Sequence, residues 1–208
     1  MNGTFGSSLD SPRYGSSLTF NGSSNYIEAD PLPAETKTIS IWAKTTWTTP
    51  SAHTLAVIDK DTGLAIGMTA GGYLVTYVGS SNGGLGSNIS ISSSGYTANQ
   101  WNHIVVIKTG DTTRDIYVNG TKKTPSGANY WGCDLSKLDI GNRHRSRGYE
   151  GYFNGQLSDF RAYATALSSE DVLRLYQMGA KIDDKANFHS FELNENLDFE
   201  KVGVNRNG

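Results

Sequence analysis

Three arginines and a histidine follow one another closely in GNRHRSRGYEGY, residues 141–152. Arg143, Arg145 and Arg147 would lie on one side of an extended chain, because successive side chains of such a chain point to opposite sides. Guanidinium groups bind carboxylates, sulfates and phosphates through paired hydrogen bonds. With His144 among them, the arginines predict a loop that binds acidic groups. The alternative is a solvated loop whose arginines pair with acids of the same region. Those acids are Asp134, Asp139 and Glu150.

Large aromatic side chains also occur in polar, turn-like surroundings. Trp47 lies in TTWTTP, Tyr130 and Trp131 lie in ANYWG, and Tyr149 follows the arginines. Exposed rings in such segments suit ligand contact, since they can stack on the apolar faces of sugars. Packing against the protein is an equal alternative for these rings. Together with the arginines, they are the candidate residues for binding an acidic glycan.

The sequence contains no pattern of residues that would support catalysis. A glycosidase needs two carboxylates on either side of the scissile bond. Some glycosidases place their acids on one face of a strand as Glu-x-Asp-x-x-Glu, and the nearest pattern here, Glu28-Ala29-Asp30, lacks the third acid of that motif. No nucleophile elbow is present for serine chemistry. The four histidines are scattered at His53, His103, His144 and His189. We therefore expect no catalytic residues.

The overall composition is typical of a single large β-rich domain. The chain has 208 residues, 24 glycines and only 18% charged residues. A net charge of -2 gives no reason to expect a nucleic-acid partner. Cys133 is the only cysteine, so no disulfide can form within the chain. No apolar run approaches the ~20 residues of a membrane span, and no signal peptide is visible at the start. We expect no membrane insertion.

Short alternating or β-branched runs, separated by turn residues, predict most of the strands of a sandwich or barrel. The segment 81–95 can be either a flexible loop or a weak edge strand, and Asn119-Gly120 predicts a hairpin turn. A helix is predicted from Ser168, with Asp171 completing a capping box and Gly179 ending it. The predicted strand runs are 17–20, 25–29, 38–44, 54–60, 64–69, 73–78, 101–108, 115–120, 137–141 and 156–163.

The order of several sequence blocks resembles the laminin-G-like, concanavalin A-like family. The blocks are SLTFNGSSNYIEA, ISIWAKT, WNHIVVIKTGDTTRDIYVNGTK, IGN and YFNGQLSDFRAYATALSSEDVLRLYQMG. The resemblance covers about residues 15 to 179. It implies an all-β fold, a two-sheet antiparallel jelly-roll sandwich with one short C-terminal helix. Members of the family mostly bind glycans or proteins.

The resemblance also implies a structural calcium ion between the loop after the first strand and the last strand. The matching positions are Asn21, Gly22 and Asp159, and Asn21 stands where relatives often carry Asp. Asp159 alternates with Phe160, so an outward-facing carboxylate is compatible with a strand. The alternative is that Asp159 accepts hydrogen bonds from a neighbouring turn.

The sequence divides into a laminin-G-like domain, residues 1–180, and a C-terminal strand or anchor extension, residues 181–208. The family's usual opening strand is missing, and residues 187–195 resemble that strand. We expect this segment to complete the sheet in its own subunit or, by strand exchange, in a neighbour.

These features predict a non-catalytic glycan- or receptor-binding domain of a surface or virion protein, such as a phage spike or fibre. The expected partners are cell-surface glycans and the other subunits of a homo-oligomer or virion assembly. The expected location is the virion surface or the extracellular space. The alternatives are a structural decoration protein that makes only protein–protein contacts and a glycoside hydrolase-like enzyme.

Overall fold

The computed structural model describes twelve stretches of the chain. They are residues 6–8, 10–12, 17–30, 32–45, 53–57, 64–68, 74–79, 85–91, 95–110, 113–124, 138–142 and 152–179. Side chains are described for all of these except residues 7–8, 53–57, 64–68, 74–79 and 85–91. The C-terminal extension 181–208, with its predicted strand 187–195, lies outside the described residues.

The described residues form β-strands and one helix. In chain order they are β1 (Gly6–Ser8), β2 (Ser17–Asn21), β3 (Ile27–Ala29), β4 (Thr38–Thr45), β5 (His53–Val57), β6 (Leu64–Met68), β7 (Leu74–Gly79), β8 (Leu85–Ile91), β9 (Asn102–Lys108), β10 (Arg114–Val118), β11 (Thr121–Lys123), β12 (Leu138–Ile140), β13 (Asn154–Tyr163) and α1 (Ser169–Gly179).

The strands form two antiparallel sheets, which confirms the predicted jelly-roll sandwich with a short helix. One sheet has seven strands in the order β1-β2-β13-β4-β9-β10-β11, and the other has six in the order β3-β12-β5-β6-β7-β8. Each of the ten predicted runs contains a strand or most of one. Segment 81–95 contributes β8 at the edge of the smaller sheet. Sequence patterns did not predict β1 and β11, which are three residues long.

The two central strands of the larger sheet, β4 and β9, are buried on both faces. On the inner face, Ile39 and Ile41 join an apolar cluster with Ile104 and Val106. Each such side chain contributes roughly 1.5–3 kcal/mol when it is fully buried. On the outer face, Val105 and Ile107 of β9 pack with Val172 of α1 and Tyr117 of β10. Continuous apolar runs such as NHIVVIK therefore reflect a strand covered from both sides.

Helix α1 is the element that covers the outer face. Ser168 caps it through the predicted box: the Asp171 amide donates to Ser168 Oγ (3.1 Å), and the Ser168 amide donates to an Asp171 carboxylate oxygen (3.2 Å). At its C-terminal end, a Cβ on Gly179 would lie 2.6 Å from a carbon of the Trp42 indole. Gly179 thus ends the helix as predicted, and it also lets the helix approach Trp42.

The tryptophans Trp42 and Trp101 have different environments. Trp42 is buried against α1 on the outer face of the larger sheet, because Ile41 and Ala43 face the inner cluster. Trp101 is half-buried, and its Nε1 donates a hydrogen bond to Asp10 (3.2 Å). The structure therefore places neither indole among the residues of the inner cluster.

Candidate functional site

Strand β2 and the start of strand β13 meet at one end of the sandwich. Asn21 ends β2 opposite Asn154, the first residue of β13. The next amide, that of Gly22, donates to the Phe153 carbonyl (2.9 Å). We call residues 21–26 together with Tyr152 and Asn154 the rim. The rim is where the chain leaves the larger sheet and crosses towards β3.

The turn of the rim is held by its own asparagines. Asn21 Oδ1 accepts hydrogen bonds from the amides of Ser23 (3.0 Å), Ser24 (2.9 Å) and Asn25 (3.2 Å). Asn25 is buried, and its Oδ1 accepts from the Asn21 amide (3.0 Å). Such local side-chain bonds fix a turn without a regular ladder. Ser23 and Ser24 are exposed on this ordered turn.

Two tyrosines lie side by side at the rim. The ring centroids of Tyr26 and Tyr152 are 6.3 Å apart, with ring planes at 53°. Both residues are half-buried, so part of each remains accessible. Sequence reasoning missed this pair, although Tyr152 lies in the same YEGYF run as Tyr149. The pair could not be predicted from local sequence, because Tyr26 and Tyr152 are more than a hundred residues apart.

We call residues 141–152 the basic segment, and its two ends are anchored next to this tyrosine pair. The Phe153 amide donates to the Gly141 carbonyl (2.8 Å), which brings residues 142 and 152 together. Gly141 has φ 83° and lies against the Phe20 ring, where a Cβ would clash. Of the predicted carbohydrate-binding residues, Arg143, His144, Arg145, Arg147 and Tyr149 belong to the segment between those ends. They lie outside the described residues, as do Trp47, Tyr130 and Trp131.

Asp159 is not brought to the rim. It is five residues along β13 from Asn154, which is roughly 17 Å at the rise of a strand. Arg161 holds both carboxylate oxygens, through Nε (2.6 Å) and a terminal nitrogen (2.9 Å). Burial raises the pKa of the Asp159 carboxyl in spite of this ion pair.

The predicted calcium ligands do not fit a single ion in this arrangement. Asn21 Oδ1 already accepts three amide hydrogen bonds, and Asp159 is bound to Arg161 some distance away. Calcium requires six to eight oxygen ligands around one point. Within the described ranges, no cluster of three or more His, Cys, Asp or Glu residues could hold a metal. Calcium binding by this chain stays a prediction.

A serine and a histidine lie within hydrogen-bond distance of each other, as in a catalytic pair, but both are buried. Ser40 Oγ and His103 Nε2 are 2.8 Å apart. Both residues are buried, and the His103 ring is stacked on Trp42 with centroids 4.9 Å apart. Burial lowers the pKa of His103 to about 4, and its Nδ1 has no hydrogen-bond partner among the described residues. Because no described acid orients the ring and no substrate could reach it, this pair is part of the packing under α1.

Glu28 of β3 and Asp139 of β12 are directly opposite each other in the smaller sheet. Their neighbours Ile27, Leu138 and Ile140 pack in the interior, so by alternation the two acids face outward. Glu28 is exposed and Asp139 is buried.

The part of the chain that the structure covers contains no helix long and apolar enough to cross a membrane.

Comparisons with known proteins agree with this architecture. The family model for the concanavalin A-like lectin/glucanases superfamily matches residues 21–173. The chain belongs to that superfamily, as its sequence blocks predicted. No curated protein matches the sequence significantly.

Several solved structures share the fold at low sequence identity. Domain 4 of AbnA, an extracellular arabinanase from Geobacillus stearothermophilus in complex with arabinotriose, has a TM-score of 0.61 at 18% identity, covering 84% of this chain and 82% of that one. The CBM40 of a Ruminococcus gnavus sialidase has a TM-score of 0.62 at 14% identity, covering 80% and 99%. The receptor-binding domain of a botulinum neurotoxin C/D mosaic has a TM-score of 0.61 at 15% identity, covering 85% and 45%.

Proposed function

We propose that this protein is a non-catalytic glycan-binding domain whose contact surface lies at the rim and the adjoining basic segment. The observation that carries the proposal is the Tyr26–Tyr152 pair, which lies where both ends of that segment meet. Paired rings offer apolar faces to a sugar, and the exposed Ser23 and Ser24 offer hydroxyls beside them.

Acidic glycans suit this surface better than neutral ones. Arg143, Arg145 and Arg147 belong to the segment whose two described ends meet beside the tyrosines, and their guanidinium groups would supply paired donors to a carboxylate. The proposal is also supported by what related folds bind: the Ruminococcus gnavus CBM40 has been solved with α2,3 sialyllactose and the arabinanase domain with arabinotriose. Loops 46–53 and 126–134, with Trp47, Tyr130 and Trp131, would extend the surface. Individual contacts of this kind are weak, so multivalency would raise the avidity.

The experiment is a binding titration with α2,3-sialyllactose and arabinotriose, accompanied by a glycan array. Tyr26→Ala and Tyr152→Ala should each weaken binding at least tenfold, because each removes half of the stacking surface. Tyr163→Ala, at the far end of β13, is the matched control and should bind as the wild type does. Circular dichroism confirms that each variant is folded. A silent array, or rim variants that bind normally, would contradict the proposal.

A glycoside hydrolase is the second candidate, and the Glu28–Asp139 pair is the observation that favours it. Glycosidases need two carboxylates on either side of the scissile bond, and Glu28 and Asp139 are directly opposite each other on neighbouring strands. The pair faces outward on the smaller sheet, and its members differ in burial. Release of reducing ends from a polysaccharide, abolished by Glu28→Gln, would support hydrolysis over binding alone.

The wider setting of the domain is also a proposal. We propose that it lies at the surface of a virion or outside the cell, in a homo-oligomeric spike or fibre. A structural decoration protein would use the same fold through protein contacts only. Light scattering of the purified chain tests whether it forms an oligomer. Glycan binding by that oligomer would support a recognition domain over a structural decoration protein.

A further inference from the structure

The smaller sheet ends at β8, a strand that differs from the other outer strands of the two sheets. Among the strands that the structure describes, β8 pairs with β7 alone, so its other side presents unpaired backbone amides and carbonyls. It is seven residues long. The other outer strands of the described sheets, β1, β3 and β11, have three residues each. A long open edge is a template for pairing with a further strand.

Charged residues occur on two of the short edges, and β8 contains none. Strand β3 carries Glu28, and β11 carries Lys122 and Lys123. The sequence 79–95, which includes β8, has neither a charged residue nor a proline. Charges and prolines are the usual means by which a protein blocks an exposed edge. Strand β8 is therefore open to pairing by its composition as well as by its length.

The register of the smaller sheet fixes the face on which each position of β8 lies. One row of directly opposed residues follows the interior face: Ile27, Ile140, Ala56, Ile66, Thr76 and Ile89. The adjacent row follows the outer face: Glu28, Asp139, Val57, Ala65, Tyr77 and Asn88. The edge therefore ends with an apolar residue type at its interior position and a polar, uncharged type at its outer position. A second copy of β8 has the same alternation, so it matches both faces.

We propose that β8 is a dimerisation surface, at which two copies of this chain pair their β8 strands antiparallel about a two-fold axis. An axis perpendicular to the sheet joins interior face to interior face, as an isologous contact requires. With the axis at Asn88, the middle residue of the strand, all seven residues take part and no like charges are opposed. The same pairing at β3 or β11 would oppose glutamates or lysines.

This contact rests on the homo-oligomer proposed above, and it names the surface that forms it. The rim leads into β3, which is at the opposite edge of the smaller sheet from β8. Pairing at β8 therefore leaves both rims free, and a dimer would present two glycan surfaces at once, which raises avidity. The test below uses no sugar, so a failure of the dimer and a failure of glycan binding are distinguishable.

The experiment introduces charges at the centre of the proposed contact. Asn88→Lys and Asn88→Glu each oppose like charges across the two-fold axis, so each variant alone should be monomeric by light scattering, whereas the wild type should be dimeric. Mixed in equal amounts, the two variants oppose a lysine to a glutamate, and the dimer should return. Because the Asn88 position is on the outer face, neither change adds a charge to the interior.

Thr121→Glu, at an exposed position of the short edge β11, is the matched control and should remain dimeric. Circular dichroism confirms that each variant is folded. If the charged variants do not fold, Asn88→Cys in a Cys133→Ser background replaces them. Oxidation should then link the dimer, because directly opposed Cα atoms of an antiparallel pair are about 4.5–5.5 Å apart, within reach of a disulfide.

Three results would each overturn the proposal. They are a folded charged variant that stays dimeric, a mixture of the two variants that stays monomeric, and a wild type that is monomeric. The last result would instead favour residues 187–195 of the same chain as the partner of β8.

Discussion

Trp42 of β4 and Tyr176 of α1 stack with ring centroids 5.8 Å apart and ring planes at 17°. The His103 ring lies on the same indole, so three aromatic rings join the larger sheet to the helix. This contact explains why a short helix of eleven residues is stable at this position, since isolated helices of that length are marginal in water.

The close approach of α1 to Trp42 makes Gly179 sensitive to the smallest substitution. Gly179→Ala should lower the free energy of unfolding by about 1–3 kcal/mol, because the added methyl group overpacks against the indole. Urea unfolding followed by tryptophan fluorescence measures the change. Gln177→Ala, at an exposed position of the same helix, should be neutral or slightly stabilising. A Gly179→Ala variant as stable as the wild type would contradict the packing described for Trp42.

His103 should make the fold sensitive to mild acid. Burial lowers its pKa from the ordinary value of 6.5 to about 4 in the folded chain, so between these pH values the unfolded chain binds the additional proton. Stability from this residue is therefore complete above pH 6.5 and is lost as the pH falls towards 4. The loss should be about 3 kcal/mol. His103→Gln lacks the titrating ring, so its urea-unfolding profile should fall less steeply between pH 7 and pH 4.

The Asn119-Gly120 turn should also be intolerant of change. Asn119 and Gly120 have φ of 51° and 74°, as the predicted two-residue hairpin requires. A Cβ on Gly120 would lie 3.0 Å from Leu173 and 3.1 Å from Tyr176 of the helix. Gly120→Ala should destabilise the protein by about 1–2 kcal/mol, through both strain and contact with α1. Thr121→Ala, exposed and next in sequence, is the control for urea unfolding.

Calcium binding can be tested at the Asp159 end of the predicted site. Asp159→Asn should leave any calcium-dependent rise in Tm unchanged, since Arg161 holds that carboxylate and the rim is several residues away. Differential scanning fluorimetry in calcium and in EGTA measures the rise. A rise that disappears in Asp159→Asn would show that the ion is bound in the predicted way after all.

The arginines should contribute specificity for acidic sugars, and the tyrosines should contribute affinity for sugars in general. Arg145→Gln should weaken binding of α2,3-sialyllactose about tenfold and leave arabinotriose binding unchanged, because only the former carries a carboxylate. Raising the salt concentration should likewise weaken binding of α2,3-sialyllactose and leave arabinotriose binding unchanged. Equal losses for both ligands would assign Arg145 a role in folding of the loop.

Local pattern alone was enough to predict much of the fold. Alternating and β-branched runs located most of the strands, Asn119-Gly120 gave the turn, and the Ser168–Asp171 pair gave the start of the helix. Each of these depends on residues within a few positions of one another, where backbone preference and short-range hydrogen bonds decide the outcome. The predicted binding residues lie largely outside the described part of the chain, so for them the sequence remains the only guide.

Tertiary structure decided what depends on distant partners. The register between β13 and β4 produces a bulge between Ser158 and Arg161, with Asp159 at φ 50°, which simple alternation along the strand does not predict. The pairing of β2 with β13 brings Tyr152 to Tyr26 and separates Asp159 from Asn21. Register and long-range packing are set by the whole sandwich, because each strand is fixed by its neighbours and by the cluster it covers. Sequence spacing carries no direct record of those relations.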